Sequence, residues 1–164
     1  MINFRLARAA EHDLPFIMAT ERHEGYDALV GRWDEKRHYA ALADGKHAYF
    51  LGYADSEPVG FVIVREWDSP DRVTLIKRLA VSTPGQGHGR QILSSVADAV
   101  FQQTNAHRLW LGVFPENTRA RRAYRVVGFV EEGVTRESAL VGGIYRSELS
   151  MSILRPEWLA TQTS

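Results

Sequence analysis

Apolar and polar side chains alternate over residues 2–8, and a period of two is typical of a half-buried β-strand. The apolar residues then change to helical spacing, which predicts helices over 10–23 and 27–43. Two apolar segments, 47–54 and 59–64, are joined by the polar sequence Asp-Ser-Glu-Pro and predict a β-hairpin. These residues are therefore predicted as a strand, two helices and two paired strands.

The rest of the chain alternates strands and helices. A stripe of apolar residues from Ile92 to Phe101, at spacings of three and four, predicts a helix that begins at about Arg90. The other predicted elements are strands over 73–81, 108–114, 129–137 and 144–153 and a helix over 117–127. This order predicts an α/β sheet with helices on both faces, followed after Arg155-Pro156 by a short appendage.

Length and composition are those of one folded domain, and we assign residues 1–164 to it. The chain is 45% hydrophobic and 24% charged, and no repeat, low-complexity tract or long linker interrupts it. No apolar run approaches the roughly 18 residues of a membrane span, and Arg5 and Arg8 precede any apolar stretch. We therefore expect a cytoplasmic protein with no membrane partner.

Charge and side-chain chemistry argue against several classes of site. Lys and Arg total 20, and Asp and Glu total 20, a balance that argues against binding nucleic acid through its phosphates. The absence of cysteine excludes disulfides, thiolate nucleophiles and iron–sulfur clusters. No Asp, Glu and His residues stand at metal-ligand spacing, so we expect no metal.

The segment from Gly85 to Arg90, Gly-Gln-Gly-His-Gly-Arg, joins a predicted strand to a predicted helix. Glycines at alternate positions allow a tight turn, and the free N–H groups at a helix start favour an anion such as phosphate. A Walker A loop or a dinucleotide fingerprint that begins at Gly85 would require glycine at position 90, and both are excluded. A glycine-rich turn without a ligand is the alternative.

A second segment, residues 117–129, combines an aligned face with a run of basic residues. Asn117, Ala120 and Tyr124 are spaced by three and four, so they share one face of the predicted helix. Four arginines and the absence of acidic residues make this helix a candidate for binding phosphate. The alternative is a solvated basic helix with the Tyr124 ring packed in the core.

Together the two segments resemble the GNAT superfamily of acyl-CoA-dependent N-acetyltransferases, and the resemblance covers most of the chain. Residues 81–93 are similar to the coenzyme A pyrophosphate motif of that family, with Gly87 and Gly89 at its two glycines. Residues 117–129 match the family motif Asn-x-x-Ala-x-x-x-Tyr-x-x-x-Gly-Phe at all five of its named positions.

Three positions depart from the family pattern. Pro84 stands where Arg or Gln is usual, so the loop backbone would have to hold the pyrophosphate. Gly112 and Leu75 stand where many relatives carry an acidic residue that acts as general base. The base therefore stays open, and the candidates are Glu21, Glu24, Glu66, Glu116, His107 and a chain of water molecules.

The resemblance implies a mixed, mostly antiparallel central sheet that splays between strands 73–81 and 108–114, with acetyl-CoA in the gap. One backbone N–H of the first strand would polarise the thioester carbonyl. Tyr124 would protonate the departing CoA thiolate, and Asn117 would hold the pantetheine arm. The residues that the resemblance assigns to acetyl-CoA binding are Leu79, Ala80, Val81, Gly85, Gln86, Gly87, His88, Gly89, Arg90, Asn117, Ala120 and Tyr124.

The implied function is transfer of an acetyl group from acetyl-CoA to a primary amine of a small molecule or a peptide. A non-catalytic acyl-CoA-binding module or sensor of the same fold, and a nucleotide-binding protein, stay open as alternatives. A homodimer also stays open, because the tail with Trp158 can pack on a second copy or on its own sheet. The acceptor would lie against the first two helices and the last hairpin loop, among Phe16, Tyr26, Trp33, Tyr39, Tyr145, Glu21, Glu24, Asp27 and Asp34.

Overall fold

One seven-stranded sheet forms the centre of the computed structural model, which describes residues 1–27 and 29–163. The strands are β1 (Phe4–Arg8), β2 (His47–Ala54), β3 (Glu57–Arg65), β4 (Val73–Val81), β5 (Arg108–Val113), β6 (Val130–Val141) and β7 (Ile144–Leu154). The helices are α1 (Leu14–Glu21), α2 (Glu35–Ala43), α3 (His88–Gln103), α4 (Thr118–Val127) and α5 (Arg155–Gln162).

The strands lie in the order β1-β2-β3-β4-β5-β7-β6. Among the described strands, β4 and β5 pair in parallel and all other neighbours pair antiparallel. Helix α3 joins the two parallel strands, as a crossover connection requires. The structure confirms the predicted mixed, mostly antiparallel sheet.

Helices cover both faces of the sheet, as predicted. On one face α3 contributes a buried stripe that includes Leu93, Val96 and Val100, and α4 and α5 pack against the same core. On the other face α1 and α2 enclose a second core around Ile17 and Trp33. Each face is closed by apolar burial, which is the main stabilising contribution in folding.

Strands β4 and β5 diverge after four residue pairs. Their register runs from Val73 opposite Arg108 to Ile76 opposite Leu111, and no pairing between them follows. Beyond that point β4 stays paired with β3 as far as Val81. A β-bulge at Lys77, between the pairs of β3 with Ile76 and Arg78, bends β4 where the divergence begins. The wedge between the two strands is the predicted splay.

The first two helices are shorter than predicted. Residues 11–13 form a 3-10 turn, and α1 ends at Glu21 rather than at position 23. Helix α2 begins at Glu35 rather than at position 27, because the Asp34 side chain accepts the Arg37 N–H at 2.9 Å and caps the helix there. Position 28, within the predicted helix, lies outside the described residues.

Further differences from the prediction lie in α3, in β6 and in the C-terminal segment. Helix α3 begins at His88, and β6 continues to Val141 instead of ending at position 137. The predicted appendage is helix α5, whose Trp158 stacks on Phe101 at 5.3 Å between ring centroids and donates its indole N–H to Asp98 at 2.8 Å. Trp158 is thus buried within its own chain. No helix in the described residues is long and apolar enough to cross a bilayer.

Candidate active site

The wedge between β4 and β5 exposes backbone groups of β4. Across the β3 pairing, the Ser82 N–H donates to the Val59 carbonyl at 2.9 Å. Hydrogen-bonded residues alternate along an antiparallel ladder, so the backbone of Ala80 also faces β3, and that of Leu79 and Val81 faces the wedge. Of the three predicted backbone contacts, Leu79 and Val81 are therefore available from this geometry, and Ala80 is not.

Tyr26 already uses one of these backbone groups. Its hydroxyl, from the segment after α1, donates to the Val81 carbonyl at 2.6 Å. Partial burial raises the pKa of Tyr26, and the bond to Val81 acts in the opposite direction. The contact holds the segment between α1 and α2 over the wide end of the wedge.

The glycine loop turns the chain from β4 into α3. Gly85 and Gly87 have φ angles of +88° and +80°, a left-handed backbone that glycine adopts without strain, and open space surrounds both. Gly87 occupies the N-cap of α3, and the N–H groups at the start of this 16-residue helix lack intrahelical acceptors. The loop therefore offers donors and a positive dipole end to an anion.

His88, at the first position of α3, adds an unpaired polar atom to this loop. Its Nδ1 is buried and, among the described residues, has no hydrogen-bond partner. A buried polar atom without a partner costs free energy, so a ligand that pairs with it would be favoured. The loop and the wedge together fit the pyrophosphate and the pantetheine arm of acetyl-CoA.

Tyr124 lies on α4, on the same side of the sheet as α3. Its ring is half-buried against the core and lies 6.4 Å, between centroids, from the Phe129 ring. Burial raises the pKa of Tyr124 to about 12. No other described residue forms a hydrogen bond with its hydroxyl. The side chain is thus a protonated hydroxyl with an unused donor.

Asn117 and Ala120 lie in the first turn of α4. The Asn117 side-chain oxygen accepts the Ala120 N–H at 3.3 Å, so this side chain caps the helix. Gly128 ends the helix with a φ of +116°. Asn117 and Gly128 of the predicted motif therefore fix the two ends of α4, and the helix between them positions Tyr124.

The net positive charge of α4 is partly compensated by an acidic residue of another strand. Arg121 bonds to both carboxylate oxygens of Glu131 on β6, at 3.1 and 3.3 Å, and Arg125 pairs with the same carboxylate. These contacts lower the pKa of Glu131. Glu131 lies beyond the predicted helix, so its pairing with α4 depends on tertiary contacts. Arg119 and Arg122 are exposed, and neither forms an ion pair with another residue of the described ranges 1–27 and 29–163.

Glu21, a candidate base, is held in a buried polar network. Its carboxylate accepts from Arg78 at 2.6 Å, from Arg22 at 3.2 Å and from His38 Nε2 at 3.0 Å. His38 Nε2 is the donor to this carboxylate, and His38 Nδ1 accepts the Tyr49 hydroxyl at 2.8 Å. Burial raises the pKa of Tyr49 above its usual range, which keeps that donor protonated.

The other candidate bases are no better placed. His107 precedes β5 and Glu66 lies near the start of β4, so both stand at the paired end of the wedge. Glu116 forms an ion pair with Arg146, and Glu24 is exposed in the segment after α1.

The aromatic residues predicted to contact the acceptor differ in exposure. Trp33 is buried between the Arg37 and Arg78 guanidinium groups. Tyr39 and Tyr145 are exposed.

Glu148 of β7 is a further residue of the site, and the sequence pattern did not predict it. A Cβ atom at Gly112 would lie 2.6 Å from Glu148 Oε2, so the carboxylate fills the space that a side chain at position 112 would take. Gly112 follows the last β4–β5 pair and lies opposite Ser150 of β7. The glycine at position 112 indicates that a neighbouring side chain fills the space beside it, but only the pairing of β5 with β7 identifies that side chain as Glu148.

No group of three potential metal-ligating side chains occurs among residues 1–27 and 29–163.

The chain is similar to known proteins in sequence and in structure. The profile of the acetyltransferase (GNAT) family matches residues 9–129. Spermidine N(1)-acetyltransferase of Vibrio cholerae is 33% identical over 140 residues, which are 85% of this chain and 79% of that protein. The enzyme of the same name from Escherichia coli K12 is 28% identical over 142 residues, 85% of this chain and 73% of that protein.

The structural similarity extends over nearly the whole chain. A crystal structure of spermidine N-acetyltransferase from Vibrio cholerae in complex with CoA and spermine superposes with a TM-score of 0.82 at 23% sequence identity. The match covers 95% of this chain and 98% of that one. The two proteins therefore share their fold.

Proposed function

Because the chain belongs to the acetyltransferase (GNAT) family and is an N-acetyltransferase that uses acetyl-CoA, we propose that its acceptor is a polyamine with a primary amino group, such as spermidine. The observation that carries the proposal is the 33% identity, over 85% of this chain, with a spermidine N(1)-acetyltransferase. The match includes the strands and helices that surround the wedge.

The donor occupies the wedge in this proposal. The pantetheine arm pairs with the backbone of β4 at Leu79 and Val81, and the Leu79 N–H polarises the thioester carbonyl. The loop from Gly85 to Arg90 holds the pyrophosphate through backbone N–H groups, with His88 Nδ1 as a further contact. Because Tyr26 bonds to the Val81 carbonyl, the pantetheine arm either shares this oxygen or displaces Tyr26.

Tyr124 acts as the general acid. Its raised pKa keeps the hydroxyl protonated at neutral pH, so it has a proton to give to the sulfur as the C–S bond breaks. No internal partner competes for that proton among the described residues. Asn117 and Gly128 hold α4 at its two ends, which keeps the Tyr124 hydroxyl in place during the reaction.

The acceptor lies on the sheet face that α1 and α2 only partly cover. Their core encloses β2, β3 and the end of β4 on this face, while Gly112 of β5 is exposed. The carboxylate of Glu148 on β7 borders this region beside Gly112. A polyamine carries several positive charges, and a carboxylate at this face favours such a chain over a neutral amine.

An acceptor screen tests the proposal. The purified protein is incubated with acetyl-CoA and, separately, with spermidine, spermine, putrescine and a lysine-containing peptide. Released CoA is followed with a thiol reagent, and products are identified by mass spectrometry. We expect turnover with spermidine and spermine and much slower turnover with the peptide. Preferential acetylation of the peptide, or no CoA release with any polyamine, would contradict the proposal.

A further inference from the structure

We infer that Glu148 of β7 is the proton acceptor for the attacking amine. The inference rests on the proposed amine-acetylating function and adds a residue that the sequence pattern did not identify. Its starting point is the glycine at position 112, where a side chain is missing and a carboxylate from the next strand takes its place. The three atoms nearest to a Cβ built at Gly112 all belong to Glu148, at 2.6 to 3.2 Å.

The Glu148 carboxylate lies beside the first residue of β5 after its pairing with β4 ends. The last parallel pair joins Ile76 to Leu111, and Gly112 is the next residue of β5. The bulge at Lys77 bends β4 at the same level. Glu148 therefore lies at the narrow end of the wedge, where the acetyl group of a donor whose pyrophosphate binds the α3 loop would end.

Glu148 and Tyr124 lie on opposite sides of the sheet. Leu111 and Val113 of β5 are buried in the core that α3 covers, so Gly112 between them faces the other side. Tyr124 packs against the α3 core. An amine that approaches from the open face meets Glu148, and the sulfur leaves toward the face that holds Tyr124. This separation suits a base that takes a proton from the amine nitrogen on one face and an acid that protonates the sulfur on the other.

The surroundings of Glu148 leave its carboxylate free to accept a proton. Ser138 of β6 donates its hydroxyl to Oε1 at 2.8 Å. Burial, Arg78 and Arg65 lower the pKa of the Lys77 ammonium on β4, and the charge of Glu148 acts in the opposite direction. One hydroxyl donor occupies only part of the capacity of a carboxylate, which has about four lone-pair sites.

The reaction then balances in protons and bonds. The bound ammonium group passes one proton to Glu148, and the freed lone pair forms the C–N bond with the thioester carbonyl carbon. The C–S bond breaks, and the thiolate takes the Tyr124 proton. A second proton leaves the acetylated nitrogen and restores the Tyr124 hydroxyl by way of solvent. Glu148 releases its proton to solvent, so the products are the amide, CoA and one proton.

The substitution Glu148→Gln tests the inference, since it keeps the shape and the Ser138 contact but removes the basic oxygen. We expect kcat/KM for spermidine near neutral pH to fall by about 10²-fold. Activity should recover toward high pH, where the free amine is deprotonated without help, and the affinity for CoA should not change. Glu137→Gln, a neighbouring exposed carboxylate on β6, is the matched control and should retain wild-type kinetics.

A relocation experiment separates catalysis from structure. In Glu148→Ala the space beside Gly112 is open, so the additional change Gly112→Asp places a new carboxylate there. We expect the double variant to regain part of the activity that Glu148→Ala loses. Wild-type kinetics and an unchanged pH profile in Glu148→Gln would overturn the inference. Absence of polyamine acetylation by the wild-type protein would instead overturn the proposed acceptor.

Discussion

Glu21 of α1 and Arg78 of β4 form an ion pair 2.6 Å long between Oε1 and Nη1, with 0% and 6% of the two side chains exposed. His38 and Arg22 complete the contacts of the carboxylate. Desolvation lowers the pKa of Arg78, and Glu21 opposes this effect. The pair fixes α1 against β4 next to Leu79, where the donor is proposed to bind.

Removal of one partner of this buried pair should destabilise the protein strongly. Arg78→Ala leaves the Glu21 carboxylate buried with less compensation, and we expect the free energy of unfolding to fall by about 3–5 kcal/mol. Arg108→Ala removes a more exposed bidentate pair with Glu132 and should cost no more than about 1 kcal/mol. Urea unfolding of both variants checks the difference, and similar losses would contradict it.

Substitution of Gly87 should weaken CoA binding in addition to its effect on stability. Gly87 and Gly45 have φ angles of +80° and +73°, and open space surrounds both. Alanine at either position should cost roughly 1 kcal/mol of stability through its backbone alone. Only Gly87→Ala should also weaken CoA binding, measured by calorimetry. Equal CoA affinity of the two variants would show that the loop does not hold the pyrophosphate.

The raised pKa of Tyr124 predicts the alkaline side of the rate profile. A general acid must be protonated, and a hydroxyl with a pKa of about 12 stays protonated throughout the range below pH 10. We therefore expect kcat at saturating substrates not to fall between pH 8 and 10. A fall with an apparent pKa near 9 that is absent from Tyr124→Phe would show that the tyrosine titrates within this range.

The same shift predicts how stability depends on pH. The folded-state pKa of Tyr124 lies above the ordinary value of 10.0, so folding favours the protonated form. This contribution is fully present below pH 10 and is lost as the pH rises toward 12. The free energy of unfolding of the wild-type protein should therefore fall more steeply over this interval than that of Tyr124→Phe. Parallel curves from urea unfolding at several pH values would contradict it.

The sequence predicted the strands and the two motif segments because their information is local. Alternation predicts β1, and two apolar segments joined by a polar turn predict β2 and β3. Asn117 and Gly128, which fix the ends of α4, lie directly next to the helix in the sequence. The start of α2 was missed although Asp34 is a strong capping residue, because the apolar spacing of Leu29 and Trp33 suggested a longer helix. In the structure Trp33 instead packs in the core against His38.

The parts of the site that could not be predicted depend on contacts between distant segments. Glu148 approaches Gly112 only because β7 pairs with β5, and the charge of Arg121 is compensated only because β6 brings Glu131 to α4. Glu21 was a plausible base in the sequence, yet the fold buries it against Arg78. Single-sequence patterns do not determine which strands become neighbours, so they do not determine these pairs.

The kinetics of Tyr124→Phe test the central claim most directly. The initial rate of CoA release with saturating acetyl-CoA and spermidine is compared between this variant and the wild-type protein, together with the Kd for CoA. We expect kcat to fall by about 10²-fold or more while the Kd changes by less than about twofold, because the variant loses only the donated proton. An unchanged kcat would contradict the assignment of Tyr124 as general acid at the β4–β5 wedge.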